Sequence, residues 1–376
     1  MTNSSISSDS ASTNRKGASR FGWTGAAGIV IALLLIWWTL HDVSLAEVWS
    51  HVRNVRLLPF ALAVVVATLQ FPLRAIRWQY LLRLEGKPLP FVPLWHATAI
   101  GFMATNILAA RAGEFARAYA AKRMMGVRFT TAFASIAVER VFDGMMLVAF
   151  LVIGIWSGGF GADTSIGPDL TLGEIARGMG VLFTLLLLLA LAVVRWPGTA
   201  LKVTQSVSRR VLPEKWSQRI TAVVEGLVSG LDALSSPSRL VAVLFWSLVV
   251  WLAGAASFWL GLRAFGIETP WSAALLLQSI LAFGIAVQFS PGFFGQWEAI
   301  CRITLGLYGI AADSAVSFAL GFHLGGFIPI TLLGMWSLSR AHIHLADLRR
   351  GDDLTEDSTE SPDAIDDAQA ASREGQ

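Results

Sequence analysis

The stretch TAFASIAVERVFDGMMLVAFLVIGIW, residues 131–156, decides the fold. It is long and apolar enough to cross a bilayer, which takes about 20 residues in a helix. Yet Glu139, Arg140 and Asp143 sit near its middle. Each such charge costs about 2.5–3.5 kcal/mol at the centre of a spanning helix. Glu139 and Asp143 are four apart and share a helix face, while Arg140 projects about 100° away. Two carboxylates on one face repel each other, so this face requires basic partners in a polar, partly hydrated interior. The candidates are Arg74 and Arg77 of RAIRW and Arg111 and Arg117 of RAGEFAR. Within RAGEFAR, Glu114 and Arg117 are three apart and can pair on one turn.

Composition agrees with a membrane location. Of 376 residues, 54% are hydrophobic and only 15% are charged, against about 25% charged in a soluble domain. The mean hydropathy is +0.59. A single cysteine, Cys301, excludes an internal disulfide and a cysteine-rich metal site. The chain carries 29 Lys and Arg against 26 Asp and Glu; residues 351–376 hold nine of the acids and only Arg373, leaving 28 basic against 17 acidic residues before them. The body is therefore basic, which suits anionic lipid headgroups; cytoplasmic-loop charge that merely sets topology gives the same excess.

Three regions are expected: a polar N-terminus over 1–20, a single membrane domain over 21–345, and an acidic tail over 346–376. Both ends read as disordered and cytoplasmic. The apolar run 22–40 is too long for a signal-peptide core and lacks an A-x-A cleavage site, so it reads as a retained helix. Further spans are expected at 57–82, 131–156, 178–195, 239–262 and 313–338. Two apolar stretches are broken: 90–110, by Asn106 and Arg111, and 271–290, by Gln288, Ser290, Pro291, Gly292 and Gly295. The fold class is thus an all-α polytopic membrane protein of about 6–8 transmembrane helices plus two re-entrant elements.

Lys and Arg set the orientation. Arg15, Lys16 and Arg20, then Arg74, Arg77, Arg83 and Lys87, then Arg111 to Arg128 fall on one, cytoplasmic side. The loop 157–172 has no Lys or Arg and reads as external. The second half then repeats the first in opposite sense: Glu114 to Glu139 is 25 positions, as is Glu298 to His323. Inverted repeats with broken helices are a transporter pattern in which the breaks point to the substrate site. The segment 199–234 has apolar residues at helical spacing, with Pro213 dividing it, and reads as an amphipathic cytoplasmic element or a helix packed under the bundle.

In the second half, Gln296, Glu298 and Arg302 follow SPGFFG, and Glu298 and Arg302 stand at pairing distance. Gly113, Pro291, Gly292 and Gly295 are the expected bends. His323 lies in GFHLGG, as a packed, hydrogen-bonded residue or a proton relay. The fifteen tryptophans, such as Trp37, Trp38, Trp156 and Trp196 at helix ends, read as interfacial anchors. The P-loop, H-E-x-x-H, G-x-S-x-G and dinucleotide patterns are absent, and no D-x-D pair is available to hold a sugar nucleotide through a metal. No cofactor or metal is expected, and no nucleic acid as partner.

As a set, RAIRW (74–78), NILAARAGEFARAY (106–119), AVERVFDG (137–144) and SPGFFGQWEA (290–299) resemble the flippase-like transmembrane domain of lysylphosphatidylglycerol synthases, which also occurs as a stand-alone membrane protein. Where the family pattern carries a proline just before R-x-G-E, this chain has Ala109 and Ala110. Two-domain members carry a soluble aminoacyl transferase after the membrane part; this chain ends in an acidic tail, so the resemblance implies lipid handling without synthase activity. The implied function is translocation of an anionic phospholipid or glycolipid headgroup between leaflets of the plasma membrane. Its implied substrate contacts are Arg74, Arg77, Arg111, Glu114, Arg117, Glu139, Arg140, Asp143, Gln296, Glu298 and Arg302. The alternatives are a membrane-embedded lipid-modifying transferase with Glu139 or Asp143 as base, or a non-catalytic partner of envelope-lipid synthesis proteins.

Overall fold

The computed structural model describes residues 28–349, apart from 85, 109–111, 212, 215, 216, 219, 222, 223, 226, 227 and 229–235. The expectations for the two ends, for Arg111 and for much of 213–234 lie outside the described residues.

The chain is all-α, with two small antiparallel hairpins, β1 (Arg83–Leu84) with β2 (Lys87–Pro88) and β3 (Ser165–Gly167) with β4 (Leu170–Thr171). The helices are α1 (Gly28–Leu40), α2 (Leu45–Arg53), α3 (Leu57–Leu81), α4 (Phe91–Ile107), α5 (Ala112–Met125), α6 (Phe129–Ser157), α7 (Leu172–Arg195), α8 (Pro197–Val211), α9 (Pro237–Ala264), α10 (Trp271–Gly284), α11 (Gln296–Gly306), α12 (Ala312–Arg340) and α13 (Leu345–Arg349). Within the described residues, α3, α7, α9 and α12 are long and apolar enough to cross a bilayer; α1 and α2, bent by 86°, make a fifth if taken together. Helix α6 has 29 residues, about 43 Å at 1.5 Å per residue, and carries Glu139, Arg140 and Asp143 near its middle. Helix α2 was not expected: Ser44 caps it, Val48 is buried, and Leu45 and Trp49 face outward. Helix α8 ends at Val211, ahead of Pro213.

Both broken stretches fold as helical hairpins. In the first, α4 and α5 run antiparallel, with Gly113 against Gly101 and Thr105, and Arg117 against Gly101. In the second, α10 and α11 run antiparallel, with Gly284 against Ile300. Its loop turns on Gly292 (φ 62°) and Gly295 (φ 82°), in the left-handed region that glycine adopts without a Cβ penalty. Phe293, between them, shares that region at φ 63°, where a bulky side chain is strained.

Helix, hairpin, helix therefore occurs twice: α3, α4–α5, α6 and then α9, α10–α11, α12. The halves interlock in opposite sense. Helices α3 and α9 are antiparallel, since the Arg56 N–H donates to the Ala264 carbonyl (2.9 Å) and the Ser257 hydroxyl to the Ala63 carbonyl (2.8 Å). Helix α4 runs antiparallel to α12, with His96 beside Ser337 (3.0 Å) and Asn106 donating to Thr331 (3.0 Å). Helix α10 packs likewise on α6, with Leu276 against Gly154. One apolar core gathers Trp78, Leu94, Met103 and Ile136; another gathers Leu262, Leu277 and Phe318.

Candidate functional site

Four guanidiniums and two carboxylates converge where α3, α5 and α6 meet α9. Glu139 is fully buried. Its Oε1 accepts from Arg117 at 2.8 Å and Arg140 at 2.5 Å and forms an ion pair with Arg77 at 3.0 Å; its Oε2 accepts from Arg117 at 3.1 Å. Asp143, 3% exposed, accepts from Arg77 at 2.5 Å and from the Trp251 indole at 2.7 Å through Oδ1. Its Oδ2 lies 3.2 Å from Arg140 and 3.6 Å from Arg74. Arg77 also donates to Ser247 (3.0 Å), tying the first half to α9.

Aromatic faces complete the lining. The Arg117 guanidinium stands 3.8 Å over the Trp78 ring, and Arg74 lies between Phe102 (5.3 Å) and Trp251 (5.2 Å). The weak hydration of arginine and its affinity for ring faces make it the cation best suited to burial. The six charged groups sum to +2. Arg140 alone among them is substantially exposed, with 34% of its side chain accessible. With Glu114, Thr199 and Thr204 it is among the polar residues lining a cavity of about 700 Å³ whose other walls include Phe133, Phe183, Leu189 and Val193. Cavities of roughly 300–1,000 Å³ hold ligands.

Several expected pairings are not made. Arg117 does not pair with Glu114 on its own turn; it crosses to Glu139, where two parallel hydrogen bonds form. Arg140 does not stand apart from its neighbours, because its long side chain folds back onto both carboxylates. Arg302 does not pair with Glu298. It turns to the α1–α2 corner, donating to the Thr39 carbonyl (2.7 Å) and to Asp42 (2.5 Å). Glu298 instead meets His323 Nδ1 at 2.7 Å and accepts from the Gly295 N–H at 2.7 Å.

The two hairpin tips touch. Gln288 Nε2 donates to the Thr105 carbonyl (2.9 Å) and the Leu108 carbonyl (3.2 Å), satisfying acceptors that the end of α4 leaves open. Gln296 does the same for α10, donating to Gly284 (2.7 Å) and Val287 (2.9 Å). The sequence reading named Asn106 and Gln288 as breaks but missed Trp78, Trp251, Trp297 and Ser247 as parts of the interior. Trp37, Trp156 and Trp196 are exposed at helix ends as expected. The signal available for Trp251 was its place mid-way along an apolar helix, far from either end.

Interlocked helical halves around a buried arginine–carboxylate cluster define a polytopic membrane protein with a charged interior. The family described as the lysylphosphatidylglycerol synthase TM region matches residues 25–334, and the chain belongs to it. A UPF0104 membrane protein of Methanothermobacter thermautotrophicus is 22% identical over 334 residues, covering 84% of this chain and 91% of the relative. Glycosyltransferase AglD of Haloferax volcanii is 25% identical over 301 residues, covering 73% of this chain; the match spans about half of AglD, 47%.

Proposed function

We propose that this protein translocates lipid: the headgroup of an anionic phospholipid or glycolipid engages the charged cluster at Arg140 while its tails stay in the apolar cavity and the bilayer. The carrying observation is the junction of the two environments. Six charged groups of net charge +2 include one accessible guanidinium, Arg140, which together with Glu114 lines a largely apolar cavity. Guanidinium binds phosphate oxygens through two parallel hydrogen bonds. Moving a headgroup across hydrocarbon without such partners is prohibitive.

The two hairpins, whose tips meet at Gln288, are the elements to rearrange between inward-open and outward-open states. In this reading they are re-entrant, both termini are cytoplasmic, and the membrane is the plasma membrane, as the Lys and Arg distribution favours. Envelope-lipid synthesis proteins are the natural partners.

A second reading, lipid glycosyl transfer, is suggested by the name of one relative. The carboxylates argue against it: every oxygen of Glu139 and Asp143 already accepts from a guanidinium or an indole, so a base at either position would have to leave its ion pairs. The test is back-extraction by albumin of short-chain fluorescent phosphatidylglycerol from proteoliposomes. Transport leaves a growing fraction unextractable, slowed at least tenfold in Arg140→Gln; an unextractable fraction equal to that of protein-free vesicles, with no chemical change in the lipid, sinks the proposal.

A further inference from the structure

The second half of the fold holds a buried pair that the lipid path does not use. Glu298 on α11 is 2% exposed and His323 on α12 is 6% exposed, with Oε1 and Nδ1 2.7 Å apart. The imidazole stacks on Trp297 (centroids 4.7 Å apart, 18° between planes), lies 4.7 Å from Phe294, and has the Phe327 edge at 6.3 Å. The other carboxylate oxygen accepts from the Gly295 N–H, inside the turn that closes the second hairpin.

What faces this pair decides what it can do. From α11 come Glu298 and, one turn on, the buried thiol of Cys301; Arg302 on the same helix points away to Asp42. From α12 comes His323 itself; Asp313, near that helix's start, is engaged by the Ser44 N–H (3.0 Å). The hairpin loop contributes Phe294, α9 contributes Phe258 stacked on Trp297, α1 packs Ala32 and Leu35 against Gly295, and α3 packs Phe60 and Val64 beside Gly325. Among the described residues no Lys or Arg balances Glu298. A bare carboxylate in such surroundings is costly. Among the described residues, the neighbouring side chain that can balance it is the His323 imidazole, which carries charge only when protonated.

The repeat sharpens the contrast. Glu298 and His323 occupy the interval that Glu114 and Glu139 occupy in the first half. There the charges that balance Glu139 are arginines, which do not release protons. Here the balancing charge is an imidazole, which does.

We infer that Glu298 and His323 form a proton-binding site that couples the second hairpin to a proton gradient. This rests on the translocation reading for its purpose but not for its test. A proton taken up from one side gives an imidazolium that balances Glu298. Release to the other side leaves a neutral imidazole beside a carboxylate still held by the Gly295 N–H, so the net charge at the turn closing the second hairpin changes with each proton. The proton moves between solvent and the pair; no other bond changes.

The first experiment is NMR of the full chain in lipid nanodiscs with 13C-labelled histidine. Six histidines give six signals, and His323→Gln identifies one. The expected result is a signal that changes between its neutral and protonated forms as pH is varied, with a pH response that differs in Glu298→Gln. A signal locked in one form at every pH the protein tolerates, or a response indifferent to Glu298→Gln, overturns the site. The second is leaflet exchange under an imposed pH gradient. The gradient should change the wild-type rate severalfold and leave Glu298→Gln unresponsive; a wild-type rate blind to the gradient overturns the coupling. Absence of exchange under all conditions refutes translocation, and the NMR result alone then decides whether the proton site exists.

Discussion

Glu139→Gln isolates the cluster's central contact. The side chain keeps its size but loses its charge, and a carboxylate that receives three guanidiniums at 2.5–3.0 Å on one oxygen becomes an amide. The amide also turns donors toward guanidiniums that have nothing to accept with. The six-group net charge rises from +2 to +3, in a site where Arg77 is fully buried and Arg117 is 3% exposed. Removing one partner of a buried ion pair typically costs about 3–5 kcal/mol, because the other is left uncompensated. At about 1.4 kcal/mol per tenfold, that is a shift of a hundredfold or more in the unfolding equilibrium. Adding Arg117→Gln removes one of the stranded charges. The double variant should therefore lose less than the sum of the singles, by about 1–3 kcal/mol. The assay is reversible unfolding in mixed micelles, followed by tryptophan emission, for wild type, both singles and the double. Losses below about 1 kcal/mol for Glu139→Gln, or strict additivity in the double, would refute the view that these groups form one mutually compensating unit.

Three further outcomes follow from close contacts. A Cβ at Gly113 would collide with the Thr105 hydroxyl and the Gly101 carbonyl oxygen, so Gly113→Leu should splay the α4–α5 hairpin and destabilise the protein by about 1–3 kcal/mol, read by loss of monodisperse protein on heating. A Cβ at Gly144 would run into the Phe183 ring; Gly144→Val should push α7 away from α6, while Gly144→Val with Phe183→Ala should recover most of the loss in the same assay. Arg302→Gln releases the α1–α2 corner from Thr39 and Asp42, which should raise protease cleavage within residues 41–44 severalfold without changing lipid exchange rates more than twofold.

The sequence made the fold class plain because apolar length is a composition signal and needs no partner information. The 131–156 run became α6 and the 57–82 run became α3 within a residue or two. The two breaks were legible from Asn106, Pro291 and the glycines, and the matched 25-residue intervals anticipated the repeat. Pairing was another matter. Spacing along one helix suggested Glu114 with Arg117 and Glu298 with Arg302, since neighbours on a turn are the only contacts a linear reading can see. The real partners come from other helices: Arg117 finds Glu139, Glu298 finds His323, and Arg302 finds Asp42. Trp251 and Ser247 escaped notice for the same reason, as nothing in α9 alone announces a carboxylate 108 positions away. The α1–α2 bend was hidden because the residues that hold it are on α11 and α12.

One measurement bears on lipid translocation itself. Purified wild-type protein is reconstituted at about one copy per vesicle with headgroup-labelled phosphatidylglycerol in both leaflets, and a membrane-impermeant reductant is added outside. Quenching that runs past the outer-leaflet fraction toward completion, and falls back to one leaflet in Arg140→Gln of unchanged stability, is the predicted result. Quenching that halts at one leaflet for wild-type protein shown to be folded, for anionic phospholipids and glycolipids alike, would contradict it.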